Sequence, residues 1–358
     1  MFKIDFEKKR IKRKLILASL FCALIFTIII VTMIGTMGPL GGQGVPEKIP
    51  FKAVLDVLSG KGYLWPDVYE TIILDIRLPR ILLAVLVGCA LAVSGTTMQG
   101  LFKNPMADPF LIGLAPGAAV GASFSILLGI SISISIYSTP FFASVGAMLT
   151  VFAVYIIARS SGKIRVETLL LTGIAVGSFL TAVMSFMMYM AGQQFRFMFF
   201  WMLGGLYRAS WEVVVIAFPV IILGVIIIQL FARDLNAITL GEEPATHLGI
   251  DVEMVKKILL IFSSLIAGVA VAFTGIIGFV GLIIPHMMRI LVGPDHRILL
   301  PVSALAGGIF LVWADTVART VLSPTEIPVG IITALCGAPF FIYLLQKNKK
   351  GRFVSHAT

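Results

Sequence analysis

Runs of about 20 apolar residues recur from end to end of this 358-residue chain, and nothing constrains its fold more. In hydrocarbon every backbone N–H and C=O must find its partner inside the protein, so such runs cross as α-helices. Ten spans are predicted, near 15–34, 75–99, 108–129, 138–158, 166–190, 211–231, 257–275, 277–291, 299–318 and 328–346. A mean hydropathy of +1.02 excludes a soluble globular domain, and the 13% of charged residues is about half the usual share. The expectation is an all-α polytopic membrane protein. Its single transmembrane domain covers 15–346, with a basic N-terminus (1–14) and a C-terminal tail (347–358).

The net charge of +10 raises nucleic acid as a partner, but its distribution explains it otherwise. With both termini inside, the inner segments and span ends hold 20 of the 28 Lys and Arg and the outer ones 8. That asymmetry is the positive-inside rule and predicts a multi-pass protein of the cell (inner) membrane with cytoplasmic termini. The lysine-rich start followed by an apolar run is similar to a signal peptide, yet the run is too long and TMIGTMGPL offers no small-x-small cleavage site. It reads as an uncleaved first span. Cys22, Cys89 and Cys336 all fall inside spans, as packing residues and not a disulfide framework.

Against this background one polar stretch stands out, LNAITLGEEPATHLGIDVEMVKK (Leu235–Lys257). It predicts two short helices with a hinge. Glu242 and Glu243 suit a helix start, Pro244 is tolerated in a first turn, Gly249 is a natural stop, and Asp251 caps the next helix. The stretch is either a solvated loop or a docking element for a cytoplasmic partner.

Other features carry paired readings. The outer segment 35–70 contains an amphipathic helix with Phe51, Val54, Leu55 and Leu58 on one face, anchored by Trp65 and Tyr69. Arg77 and Arg80, three apart at the outer end of the second span, either snorkel to phosphates or form cationic sockets for acidic residues of an external partner. In GLFKNPMADPF, Asn104 is a turn residue or sits at a pore mouth. Small-residue ribbons run through Gly113, Gly117, Gly121 and Ser125, through Gly173, Gly177, Thr181 and Ser185, and through Gly330, Ala334 and Ala338. They mean close helix packing, the lining of a cavity, or both. Ala90-x3-Ser94-Gly95-x9-Pro105 recurs as Ala270-x3-Thr274-Gly275-x9-Pro285, 180 residues on and in inverted orientation, which is a transporter signature. The aromatic FRFMFFWMLGGLYRASW is too short to cross and reads as a re-entrant or interfacial element at the outer mouth. Asp315 and Arg319 are an i,i+4 pair, or Arg319 joins Arg77 and Arg80 in a basic rim.

Several chemistries lack their residues. No G-x4-G-K-[ST] loop occurs and no Ser/His/Asp or Cys/His set is recognisable. His286 and His296 lack the spacing of a metal site and read as structural. No catalytic residue, metal or cofactor is expected. Asp315 is the single clear intramembrane acid for an ion-coupled carrier. Transporter architecture, little means of ion coupling and a cytoplasmic grip together point to energy supplied by another subunit. An ion-coupled carrier acting alone, and a scaffold without transport, are the competing readings.

Five motifs in order, beginning DIRLPRILLAVLVGCALAVSGTTMQGLFKNPMADPF and continuing through LGEEPATHLGI, GFVGLIIPHMMRILVGPDHRILLP, LAGGIFLVWADTVART and EIPVGIITALCGAPFFIYLL, resemble the FecCD-type permeases of type II ABC importers. The resemblance runs from about Ile49 to Leu345. It implies ten spans with inverted repeats in the type II permease fold, and a homodimer or close heterodimer in the lipid bilayer. It also implies two cytoplasmic ATPase subunits and an extracytoplasmic binding protein, with an iron–siderophore complex as first cargo and cobalamin or haem behind. Matched residue by residue, Leu240, Gly241, Glu242, Glu243, Pro244, Ala245, Leu248 and Gly249 would contact the ATPase. Arg77, Arg80 and Arg319 would receive the binding protein. Asn104, Met106, Val166 and Glu167 fall in the cytoplasmic gate, where Glu167 departs from the small hydroxyl residue expected. The fifth and tenth spans would line the path through Gly173, Gly177, Thr181, Ser185, Gly330 and Ala334.

Overall fold

The computed structural model describes residues 2–35, 49–129, 135–160 and 163–355. In chain order its helices are α1 (Phe2–Met33), α2 (Phe51–Leu58), α3 (Asp67–Leu101), α4 (Leu114–Leu127), α5 (Ser135–Ala158), α6 (Val166–Met190) and α7 (Phe195–Met202). There follow α8 (Trp211–Leu230), α9 (Ala232–Leu240), α10 (Glu242–His247), α11 (Val252–Thr274), α12 (Val280–Val292), α13 (His296–Thr320) and α14 (Val329–Ser355). Between α5 and α6 the two-residue strands β1 (Arg159–Ser160) and β2 (Lys163–Ile164) pair antiparallel. Seven helices among the described residues are long and apolar enough to cross a membrane, and three shorter apolar ones (Leu114–Leu127, Val280–Val292, Val329–Tyr343) complete the ten predicted segments.

Two predicted spans start late. The expected helix at 108–129 is a 3-10 turn, Pro109–Ile112, followed by α4. The one at 277–291 begins only at Val280. Each helix is launched from a left-handed residue, Gly113 (φ 79°) and Phe279 (φ 69°), a backbone that cannot continue a right-handed helix. At about 1.5 Å per residue, 13 or 14 residues fall well short of a bilayer core. The non-helical stretches before them are packed inside protein, where irregular backbone is tolerated. α14, in turn, continues past the predicted end at 346, and the Gly- and Pro-rich 36–48, with 356–358 of the tail, lies outside the described residues.

α3 is the hub. Its apolar window is 83% buried, against 22% for α1 and for α6, and it packs on α13, α11, α12 and α8. Lipid tails are as apolar as leucine, so helices associate in a membrane through close fit and hydrogen bonds. Gly88 and Gly307 supply the fit: a Cβ on either would strike the other's carbonyl, and a Cβ on Gly95 would strike that of Gly281. Ser94 Oγ adds a bond to Ser263 O at 2.8 Å. These contacts lie outside the ribbons picked from sequence. Of those, Gly117 and Gly121 pack α4 on α5, and Gly173 packs α6 on Leu111 and Ile112. In the 180-residue match, Ser94–Gly95 lies inside α3 whereas Thr274–Gly275 ends α11.

The amphipathic outer helix forms over Phe51–Leu58 as expected, but its buried face is Ala53, Val54 and Val57. They sit on Ile49, Ile72 and Ile73, which leaves Phe51, Leu55 and Leu58 exposed. Cys22 and Cys336 likewise face out of the fold and Cys89 is half-buried, so only the last is a packing residue.

Candidate functional site

At one end of the bundle α9, α10 and the start of α11 form a bent arm. Gly241 and Gly249 (φ 81°) bracket α10, and the Asp251 carboxylate accepts from Met254 N at 3.0 Å to cap α11. Glu242, Glu243 and Pro244 form the first turn of α10, as the sequence requires. Ala245 is buried, holding α10 against the body. Leu240 and Leu248, on either side of α10, are 84% and 73% exposed. A bare connection has no need of two bracketing leucines in solvent, whereas a protein contact does.

Two tethers hold the arm, and neither was singled out from sequence. Lys256, on the first turns of α11, is buried and reaches Glu242 Oε2 at 2.8 Å and Glu253 Oε1 at 3.3 Å. The i,i+3 pair Glu253–Lys256 was legible; the link back to Glu242 needed the fold. The second tether is Asn236 on α9. Its Nδ2 donates to Asp295 Oδ1 at 2.8 Å, and its Oδ1 accepts from His296 N at 2.9 Å and lies 2.7 Å from His296 Nδ1. The Nδ1 therefore carries the proton. Asp295 also takes Arg297 at 2.7 Å and Arg13 of α1 at 3.4 Å. The hydrogen bonds from Arg297 and Asn236 hold its carboxyl well below the usual carboxylate range. Arm, α13 and α1 thus meet at one joint, and His296 is structural, as expected. No cluster able to hold a metal occurs among the described residues.

The predicted gate residues lie at this same end. Asn104 Oδ1 accepts from Met106 N at 2.9 Å, which makes it a turn former. Val166 shares a small cleft with Leu101, Phe102, Lys256 and Leu260, while Glu167 is exposed. The loop after α3 and the start of α6 therefore both border the arm. On α6 the ribbon splits. Gly173 and Gly177 are buried beside Gly113 and Pro116, and Thr181 and Ser185 are exposed, each hydroxyl bonded to the carbonyl four residues back at 2.8 Å. A groove of about 390 Å³ runs along Gly173, Gly177 and Thr181. On α14 Gly330 is a packing position, where a Cβ would strike Leu203 O, and Ala334 is half-exposed.

The opposite end departs furthest from expectation. Arg77 and Arg80 share no open face. Arg77 closes a π-helical stretch, Thr71–Arg77, and is buried, with Nη1 donating to Thr32 O of α1 at 2.7 Å. Arg80 turns the other way, bonding Asp315 at 2.9–3.1 Å and Glu326 at 3.0 Å. Arg319 is also buried, its Nε 3.1 Å from Asp315 Oδ2 as an ion pair without hydrogen-bond alignment. A buried guanidinium needs a partner, and the fold supplies each from within: carboxylates for Arg80 and Arg319, a backbone carbonyl for Arg77. Arg196 and Arg208 are exposed here, stacked on Phe200 and Tyr207 at 5.7 and 5.8 Å. Both line a mouth of about 490 Å³ floored by Arg80 and Glu326. It includes the aromatic segment, whose short helix α7 buries Met198 and Trp201 and exposes its phenylalanines.

Comparison with known proteins identifies relatives along most of the chain. A cobalamin import system permease protein, BtuC, of Halobacterium salinarum is 49% identical over 284 residues, 79% of this chain and 76% of its own. The hemin transport system permease protein HmuU of Yersinia pestis is 43% identical over 282 residues, 78% of this chain and 84% of its own. A solved structure of an inward-facing metal-chelate type ABC transporter superposes with a TM-score of 0.80 at 31% identity, covering 93% of this chain and 99% of that one. The FecCD transport family model matches residues 42–347. With those residues matched and relatives of this identity, the chain belongs to the FecCD transport family.

Proposed function

We propose that this multi-pass membrane protein is the permease subunit of a binding-protein-dependent ABC importer, and that α10 with Leu240 and Leu248 is where a separate cytoplasmic ATPase grips it. The exposure of those two leucines around a helix tethered from behind carries the reading. The distribution of basic residues supports putting the α10 end in the cytoplasm and the Arg80 end outside. The thinly covered α6, with its hydroxyls and groove, suits the wall of a path completed by a second copy or a close paralogue. ATP-driven closure of the partners would move α10, and the Asn236 joint would pass that movement to α13. The two halves would then rock between outward and inward openings. An extracytoplasmic binding protein would deliver at the mouth beside Arg80.

The cargo we infer is a bulky metal chelate. The sequence put iron–siderophore first; relatives named for cobalamin and hemin support putting those macrocycles ahead of it. The rival reading, an ion-coupled carrier acting alone, asked Asp315 to bind the ion, yet that carboxylate is engaged by two arginines.

The test is Leu240→Glu with Leu248→Glu. Both side chains touch solvent, so folding should change by less than about 0.5 kcal/mol. Association with the ATPase should weaken by about 2 kcal/mol or more, roughly thirtyfold, and uptake by the reconstituted importer should stop. Uptake at the wild-type rate, or by this chain without an ATPase, would overturn the proposal.

A further inference from the structure

We propose that the groove between α5 and α11 is a binding site for an anionic phospholipid, with its headgroup at Lys257 and Arg159. The groove holds about 210 Å³. Its walls are Val151 and Phe152 on one side and Leu260 and Ile261 on the other, closed at one end by Tyr155 and Lys257. Phe152 and Ile261 are exposed while Val151 and Leu260 are buried, so the groove opens away from the rest of the chain over a packed floor. The helices are antiparallel here. Going from Phe152 to Tyr155 along α5 and from Ile261 to Lys257 along α11 leads in both cases to the α10 end. One residue past the end of α5 stands Arg159, also exposed.

Charge identifies the occupant. The two lysines of the Lys256–Lys257 pair have opposite fates. Lys256 turns inward to Glu242 and Glu253. Lys257 stays at the rim of an apolar groove, and neither it nor Arg159 has an acidic partner among the described residues. An ammonium at the edge of hydrocarbon seeks phosphate. An apolar slot closed by one cation and a phenol, with a second cation four residues beyond that phenol, fits one acyl chain below one anionic headgroup, the arrangement of basic inter-helix lipid sites. A lysine that merely snorkels would accept any headgroup and need no slot. Placing the site in the cytoplasmic leaflet rests on the orientation proposed above; the groove itself does not.

Native mass spectrometry of the full chain, titrated with phosphatidylglycerol or phosphatidylcholine, reads the site without any transport. One phosphatidylglycerol should be retained saturably, favoured by about fivefold for each cation. Lys257→Met should lower phosphatidylglycerol affinity about fivefold and leave phosphatidylcholine unchanged. Ile261→Trp, which fills the slot from an exposed position, should weaken both lipids. Equal retention of the two lipids by the wild type, or unchanged selectivity in Lys257→Met, overturns the proposal. So does competition by inorganic phosphate, which would assign the cations to a free anion.

Discussion

The two ends of the bundle handle charge in opposite ways. Around Arg80 four charged side chains from three parts of the chain (Arg80, Asp315, Arg319 and Glu326) settle their charges among themselves, and two of the four are buried. Around α10 the ion pair serves as a tether from behind, and the two exposed leucines stand in solvent beside Glu243, Thr246 and His247. Charge at the first end belongs to folding, because an unpaired ion in a low-dielectric interior is costly. At the second, stability and function are separable: the tethers position an element whose outward face is free to meet something else.

The contrast breaks most visibly at Arg80. Arg80→Met leaves Asp315 with Arg319 alone and should cost about 3–5 kcal/mol, read as a lower thermal midpoint of the purified protein. Glu326→Gln, touching the same guanidinium from the exposed side, should cost no more than about 1 kcal/mol. Equal losses would mean that burial does not decide the energetics at this end. A smaller effect is expected from Lys256→Met, which frees α10 from α11 at about 1–2 kcal/mol for the charged hydrogen bonds. Amide exchange over Glu242–His247 should accelerate about tenfold while that of α3 stays unchanged; uniform acceleration would show that the tether is part of the core instead.

The smallest expected effect is a pH dependence of the Asn236 joint. Because the Asp295 carboxyl is held below its ordinary range in the fold, its contribution is fully present above the unfolded value, about 3.9, and is lost as pH falls below it. Protection of α9 amides should therefore decline below about pH 4, and Asp295→Asn should remove that pH dependence. A decline centred near neutrality would point to a different group.

Much of the candidate site was legible because its signals are local. Glu242 and Glu243 at a helix start, Gly249 as a stop and Asp251 as a cap each act within one turn, so α10 and the α11 cap could be placed from the chain alone. The fates of Arg77 and Arg80 were not. Their three-residue spacing implies a common helical face, but the π-helical stretch before Arg77 and the partners on α1 and α13 send them apart. Asn236 and the link from Lys256 to Glu242 escaped notice for the same reason: those partners lie on other elements, 59 residues along the chain from Asn236 to Asp295.

By itself the sequence determined that this chain is built from ten apolar segments of membrane character, and where the polar arm interrupts them; seven of the described helices are long enough to cross. Apolar run length, helix breakers and caps act within a few residues, and a bilayer allows few alternatives to a helix. Only the tertiary structure decided which helix is central and which glycines touch across it. The same holds for which arginines are paired, and for the lysine that turns inward while its neighbour stays at the rim. Those outcomes depend on which groups the packed helices bring together, and in a medium where an unpaired charge is so expensive, the partner across the interface decides.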